Sequence, residues 1–474
     1  LTGLIGLGAE KAQDVIGSAI EASHVGDLYT WGERSVNSLI QSLGGGGGSA
    51  DTTVVLDEGA RIDLEVVLGA KQTNNSSGGD ITFARTGDVQ AAGNGSQGVS
   101  VQSVGGGGGR LMLDVRHVGA VDPQAPGASL STATVGLGAD PSYDNHGGNL
   151  DLTLKGNTVT LGDYSPGLVL QSIGAGGGQA FLNGLMNATV NIGAEDGSTG
   201  NGGTIQVVNT GAIATFGERS DGIVLQSIGG GGGYVITDLK PQDVTVNASS
   251  FNAGHGGDIT FTQIGDIVVF GDGSRGVVAQ SIGGGGGLVD GVFSGTAGGF
   301  GWGGSITLNF EGNVVATGKG STAIFAESAG TGGNNITISL PAGFAAMGGE
   351  GGTGIILSGG DANTLRNGGL VTTTAGTEGF AIRGTTGHDR IENYGVLMGS
   401  IDLGAGDNAL TNHADAWFST GTTLNLGAGT LTNFGTLDFG GRTLQTTTIT
   451  GNFVQRGRPT WLVDIGDAGV SDGL

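Results

Sequence analysis

Apolar and polar residues alternate in short runs along most of this chain, and glycines separate the runs. The stretch "GGDITFTQIGDIVVFGDGSRGVVAQSIGGGGG", Gly256 to Gly287, shows the arrangement. Ile259 and Phe261 alternate with polar neighbours, Ile267 to Phe270 form a second run, and Val277 to Ile282 form a third. Successive side chains of a strand point to opposite faces, so a period of two marks a half-buried strand. Short β-branched and aromatic runs bounded by Gly and Asp read as strands joined at tight corners. The pattern therefore predicts three short strands in this unit and no helix.

The unit recurs. "QSLGGGGG" at Gln41 is followed by "QSVGGGGG" at Gln102, "QSIGAGGG" at Gln171 and "QSIGGGGG" at Gln226 and Gln280, with a decayed "ESAGTGG" at Glu327. These copies lie 61, 69, 55, 54 and 47 residues apart, so the overall period is loose. The segment before each motif is not. A Gly-Gly pair starts at Gly78, Gly147, Gly202, Gly256 and Gly303, each 24 residues before its Gln or Glu. Counting from the first glycine of the pair, position 9 is Gly87, Gly156, Gly211, Gly265 and Gly312, and position 15 is Gly93, Gly162, Gly217, Gly271 and Gly318. Position 18 is serine throughout: Ser96, Ser165, Ser220, Ser274 and Ser321. The first copy keeps the frame from Gly17 through Gly26, Gly32 and Ser35 to Gln41.

Three strands and fixed corners, repeated, predict an all-β fold: an elongated right-handed parallel β-helix, or β-solenoid. One coil cannot bury its apolar face alone, and stacking coils builds a continuous core. Position 3, occupied by Ile81, Leu150, Ile205, Ile259 and Ile306, is the expected inward aliphatic ladder. Glycine at positions 9 and 15 suits corners that need positive φ or close backbone approach. The glycine runs sit at a fixed place after the third strand. A free linker has no reason to be phased that way, so they are read as an ordered, closely packed segment. A floppy loop ejected from each coil is the competing reading. The segments beyond the runs, such as "ATVNIGA" at Ala188 and "DVTVNAS" at Asp243, read as further coil sides with variable surface loops. At the N-terminus, "AEKAQDVIGSAIEA" from Ala9 has helix-forming residues, but the frame places Ile20 in a strand.

After about Gly348 the rhythm changes. "LRNGGLV" at Leu365, "IENYGVL" at Ile391, "LTNHADAWF" at Leu410 and "LTNFGTL" at Leu431 mark a coil of roughly 20 residues. Asn367, Asn393, Asn412 and Asn433, followed by Asn452, are the expected corner stack. The chain thus divides into glycine-rich repeats at 1–347, regular coils at 348–445 and a C-terminal part at 446–474.

Composition narrows the function classes. Glycine supplies 105 of 474 residues, yet 37 % are hydrophobic and only 13 % charged, which is not the composition of a disordered chain. The net charge of −24, with only 18 Lys and Arg, argues against nucleic acid as a partner and against an anionic membrane surface. There is no cysteine, hence no disulfide and no thiolate metal site. No run reaches the length of a spanning helix, and no signal peptide follows Leu1, so any targeting or anchoring part is expected to have been cut away or never to have existed.

No residue is nominated as catalytic, cofactor-binding or metal-binding, and no cofactor is expected. "GNVVATGKGS", Gly312 to Ser321, approaches a phosphate-binding loop, but the spacing is one residue too long and Gly320 follows the Lys. The repeated position-18 serine reads as a turn residue, because catalysis needs one activated copy with a His and a carboxylate nearby. His388-Asp389 is the most suggestive pair and reads as a corner. The Gly-Asp corners at Asp27, Asp88, Asp163, Asp266 and Asp272, with "LGAGDNAL" at Leu403, look like pieces of calcium-binding nonapeptides, but no tandem is present. A sugar-cleaving groove needs aromatic platforms and clustered acids, and none is legible, though one assembled from distant coils would not show in the sequence.

The "GDGSxGxxxQSIGGGGG" pattern at Gly271 to Gly287 and the "LxNxGxL" pattern at Leu431 to Leu437 resemble the passenger domains of large Gram-negative autotransporters, pertactin-like ones in the second case. The last part, from Thr446, is similar to the start of the autochaperone region, with Gly451, Asn452, Phe453 and Gln455, then Trp461 to Ile465, Ser471 and Asp472 at the matching places. Arg458-Pro459 departs from that pattern at the turn. The resemblance covers nearly the whole chain and implies a cell-surface or secreted, non-enzymatic adhesin or rigid stalk, exported through the outer membrane. Its implied partners are a host or abiotic surface, other copies on neighbouring cells, and a translocator barrel of the same polypeptide outside these residues. A polysaccharide-degrading or esterase-type passenger and a purely structural spacer are the alternatives. If every residue entered a coil, the rod would approach ~90 Å.

Overall fold

The structure, a computed structural model, describes residues 2–9, 11–57, 60–118, 130–194, 197–248, 251–290, 292–296, 298–465 and 471–473. Among them there is no α-helix, and almost every strand pairing is parallel. The fold is a β-solenoid. In the coil beginning at Gly202, strands Ile205–Thr210, Ile213–Thr215 and Ile223–Ile228 occupy three faces. Each pairs in register with its counterpart one coil away: Ile205 with Leu150 and Ile259, Ile213 with Thr158 and Ile267, Gln226 with Gln171 and Gln280. The position-3 ladder, Ile81 to Ile306, is fully buried, each side chain contributing about 1.5–3 kcal/mol relative to exposure. The N-terminal segment follows the repeat frame, with Ile20–Val25 a strand and Ile20 packed on the same core.

The segments beyond the glycine runs do more than extend the coil. They build a second lobe with its own core, centred on Val66, Leu113, Val135, Leu182, Val190 and Val235. Its walls are two further parallel sheets. One runs through Gly47–Leu56, Gly108–His117, Gly177–Gly184, Gly232–Thr237 and Gly286–Val289. The other runs through Thr2–Leu7, Asp63–Leu68, Ser131–Leu137, Met186–Ile192 and Val244–Ala248. The antiparallel strand Phe293–Thr296 closes the first of these. Because the second lobe covers the third face of the main lobe, Leu168–Ile173 and Ile223–Ile228 are buried along their whole length. The longest inserted stretch, 119–129, lies outside the described residues.

The glycine run is the crossing between the lobes, and it is ordered. In the run Gly229 to Gly233, φ is +81°, +84°, +140° and +151° from the second residue onward. A Cβ on Gly232 would lie 1.8 Å from the carbonyl oxygen of Gly286 in the next coil, and one on Gly233 would lie 1.9 Å from that of Gly178 in the previous coil. The fourth glycine thus faces one neighbour and the fifth the other, with no room for a methyl on either side. Ala175, in the second position of its run, is the exception, at φ +64°.

The two residues that open the motif lock this crossing. The glutamine amides form a ladder: Gln41 Nε2 donates to Gln102 Oε1, Gln102 to Gln171, Gln171 to Gln226 and Gln226 to Gln280, each at 2.7 Å. The second hydrogen of each amide goes to the last glycine of its own run, as from Gln226 to Gly233 O at 3.2 Å. The ladder ends at Glu327, which accepts from Gln280 at 2.7 Å and from Ser358 at 2.9 Å. No glycine run follows Glu327, so a residue that only accepts replaces one whose second N–H would lack its partner. The serine clips coils together: Ser227 Oγ donates to Gly203 O and accepts from Gly257 N in the next coil, both at 2.7 Å.

From Ile306 on, the coils have a single lobe. Asn367, Asn393, Asn412 and Asn433 form a buried ladder, each amide donating to the next at 2.7–2.8 Å. Asn452 does not continue it. Phe453 stacks on Leu431, so the residue opposite Asn433 is Gln455, and Asn452 pairs with Thr430. The inward aromatic side chain sets the register there, and a shift between Asn425 and Thr430 absorbs the difference. Among the described residues the first face holds twelve stacked strand segments, about 50 Å of axis at ~4.8 Å per step. That falls well short of ~90 Å, because 47 to 69 residues of each N-terminal repeat are spent on one step.

Candidate binding surfaces

The second face carries an exposed apolar row. Its strands bury positions 11 and 13 and turn positions 12 and 14 outward. Position 14 is Trp31, Ala92, Leu161, Phe216 and Phe270 in successive coils. Trp31, Leu161, Phe216 and Phe270 are 73, 41, 47 and 44 % exposed. Phe216 and Phe270 stack with ring centroids 4.7 Å apart and planes 16° from parallel, the coil spacing written in side chains. Tyr29, Val159, Ala214 and Val268 at position 12 widen the row. The signal was present in the frame: the same alternation that sends positions 11 and 13 inward sends 12 and 14 outward.

Where the two lobes meet, a charged seam closes the interface. Asp114 is buried and accepts from Arg116 at 2.6 Å, Arg34 at 3.4 Å and Asn183 at 3.2 Å. Tyr164, Asp238 and Glu33 complete a pocket of about 200 Å³ there. Burial, then Asp238, pushes the Tyr164 hydroxyl up to about 12, and burial also raises Asp238. Farther along, Arg275 bridges Asp221 at 3.0 Å and Asp290 at 2.7 Å, while Tyr234 donates to Asp221 at 2.9 Å. Burial opposes the Arg275 charge, but the two carboxylates outweigh it and hold the guanidinium firmly protonated. Every charge in this second group has a partner of opposite sign, as burial demands.

A larger groove, about 970 Å³, lies on the second face of the C-terminal coils. Successive strands supply its floor: Val396 and Met398, then Trp417 and Ser419, then Asp438, then Leu462. Loops 374–378 and 440–443 form its walls, tied by Thr377 Oγ1 donating to Gly440 O at 3.3 Å. Trp417 Nε1 donates to Ser419 Oγ at 2.8 Å and Asp438 Oδ2 at 3.3 Å, and Ser419 Oγ donates to the same carboxylate oxygen at 2.8 Å. Sequence reasoning missed this groove because residues more than 80 positions apart build it.

The motifs with a chemical look take up coil-to-coil duties. Asp27, Asp88, Asp163, Asp266 and Asp272 each accept the backbone N–H of the equivalent residue in the next coil, as Asp266 does from Asn313 at 2.8 Å. Among the described residues, no three His, Cys, Asp or Glu side chains gather as metal ligands. Buried position-18 serines form another ladder, each accepting the preceding coil's serine N–H, as Ser220 does from Ser165 at 2.9 Å. In Gly312 to Ser321, strand Val314–Ala316 pairs on both sides and Lys319 N donates to Asp272, so those N–H groups are not free to cradle a phosphate. His388 Nδ1 accepts Asp407 N–H at 3.1 Å, and Asp389 is buried between Asn363 and Asn408.

Comparison of the chain with protein-family models, curated proteins and solved structures finds no match.

Proposed function

We propose that this chain is a passenger-type β-solenoid, displayed on or released from a Gram-negative cell surface, and that it works as an adhesin on a rigid stalk. The observation that carries the reading is the exposed apolar row of the second face, Trp31, Leu161, Phe216 and Phe270 with Ala92 between the first two, rooted in a continuous parallel stack. Isolated exposed apolar residues need no explanation, but a row recurring at coil spacing offers a repeating contact surface. Weak contacts at each coil then add through multivalency. The phased Gln-Ser-glycine motif and its resemblance to autotransporter passengers support export through a translocator barrel of the same polypeptide. A host or abiotic surface, or a second copy on a neighbouring cell, would be the partner.

Cells displaying the protein would be compared with cells displaying a Trp31→Ser, Phe216→Ser, Phe270→Ser variant at matched display, on host-cell, matrix and bare surfaces. The expected result is an attachment loss of about tenfold on one surface. Equal attachment by both would remove the aromatic row as the adhesive element. Attachment no better than that of cells lacking the protein would remove the adhesin reading and leave a spacer.

A further inference from the structure

We infer that the C-terminal groove is a binding site for a neutral hexopyranosyl oligosaccharide, a property independent of where the protein is displayed. Three features point to that chemistry. The first is a fixed platform. Trp417 is 39 % exposed on the groove floor, and its indole N–H is already bonded to Ser419 and Asp438. The indole is therefore held in place before any ligand arrives, and what it offers is an apolar ring surface. The C–H face of a pyranose is flat, apolar and of matching size, and pre-organisation removes the ordering cost of the contact. Val396, Met398 and Leu462 extend the apolar floor along the coil stack.

The second feature is the rim. Glu378 and Asp464 supply carboxylates, and Thr374, Thr377 and Thr443 supply hydroxyls. A carboxylate accepts from two neighbouring hydroxyls at once, which suits the vicinal diols of a sugar. The groove holds three carboxylates, Glu378, Asp438 and Asp464, against one guanidinium, Arg442. That balance disfavours uronic acids and sulfated glycans.

The third feature separates a sugar from a peptide. Extended peptides commonly bind by pairing with an unpaired strand edge. Here the floor strand at Trp417 to Thr420 is paired with Val396 to Gly399 on one side and Thr436 to Phe439 on the other. At Trp417 a ligand therefore finds no free strand edge; it meets the floor side chains and, in the walls, the backbone of Gly376, Gly440 and Gly441. The volume of about 970 Å³ lies at the upper end of sites for discrete ligands and leaves room for more than one ring.

The test is calorimetry and ligand-observed NMR on the purified chain with cellotetraose, maltotetraose and chitotetraose, against tetragalacturonate and a decalysine peptide. At least one neutral tetrasaccharide is expected to bind about tenfold or more tightly than tetragalacturonate. Trp417→Ala is expected to weaken that binding about tenfold or more, while Trp417→Phe, which keeps a ring, restores most of it. Thermal melts of both variants, and transfer of saturation from the groove's Met398 methyl to the sugar, guard against a folding artefact. No binding of any neutral probe, tighter binding of tetragalacturonate or decalysine, or undiminished binding by a folded Trp417→Ala would each overturn the site.

Discussion

Asp389 shows how a single residue in this fold answers to two coils at once, one through its side chain and one through its backbone. Its carboxylate accepts from Asn363 in one coil, and its N–H donates to Asn408 in the next. Burial raises the carboxyl from 3.8 to about 6, against the amide bond from Asn363, which favours the ionised form. A carboxyl raised on folding holds its proton more tightly in the native state. The stability it contributes is complete below the unfolded value and is lost as pH rises through the folded one. Asp389→Asn keeps an acceptor for Asn363 and removes the charge. Urea unfolding is expected to show the variant more stable than the parent by about 1–3 kcal/mol at about pH 7.5. The two should converge below about pH 4. A parent whose stability does not fall between those pH values would contradict the assignment. From the sequence the His388-Asp389 pair read as a corner; both residues instead open the strand His388–Asn393, and the acid is buried there by the coils above and below.

At the scale of one element, the glycine run decides whether the two lobes can stack. The fourth and fifth glycines turn their hydrogens toward opposite neighbours at carbonyl contact distance. Gly232→Ala puts a methyl 1.8 Å from the Gly286 carbonyl at φ +140°, so strain and clash act together. A loss above about 3 kcal/mol is expected, the range reserved for disrupted cores and special backbone sites. Gly320→Ala, with nothing within 4 Å but φ +70°, isolates the backbone term, expected at about 1–2 kcal/mol. Chemical unfolding of the pair would separate the two contributions, and equal losses would mean that the close approach at Gly232 carries no weight. Phasing alone identified the run as ordered. That it crosses between two cores was not legible, because alternation in "ATVNIGA" and "DVTVNAS" identifies strands without saying which core they face.

For the whole molecule, in-register stacking makes a coil a removable part. Deleting residues 202–255 joins Asn201 to Gly256 and brings Gln171 under Gln280, Ser172 under Ser281 and Leu150 under Ile259, so every main ladder rejoins. Arg275 loses Asp221 but keeps Asp290. The variant is expected to fold with β-rich circular dichroism and a cooperative melt, its axis shorter by about 5 Å in solution scattering. Deleting 202–228 instead removes the three main-lobe strands and leaves the crossing Gly229 to Gly233 and the second-lobe strand Gly232–Thr237 without the third-face strand Ile223–Ile228 that feeds them, and that variant is expected to be insoluble or unfolded. If both deletions behave alike, the coil is not the unit of stability.

The sequence by itself determined the strand period, the coil frame and the inward ladder from Ile81 to Ile306, since these follow from alternation and spacing within one repeat. It also placed the asparagine stack from Asn367 to Asn433, because equivalent residues of successive coils lie above one another, whereas the amide-to-amide bonding of the glutamines from Gln41 to Gln280 came only with the structure. Tertiary structure decided what depends on two cores or on distant coils. It divided each N-terminal coil into two lobes, which halves the rise won per residue. It ended the asparagine ladder at Asn433, with Gln455 rather than Asn452 opposite it, because Phe453 sits on Leu431. It assembled the C-terminal groove from Trp417, Asp438 and two loops that no local pattern connects. The physical reason is the same in each case: a repeat specifies its contacts with the next copy, while contacts between unlike segments are settled only when the chain packs.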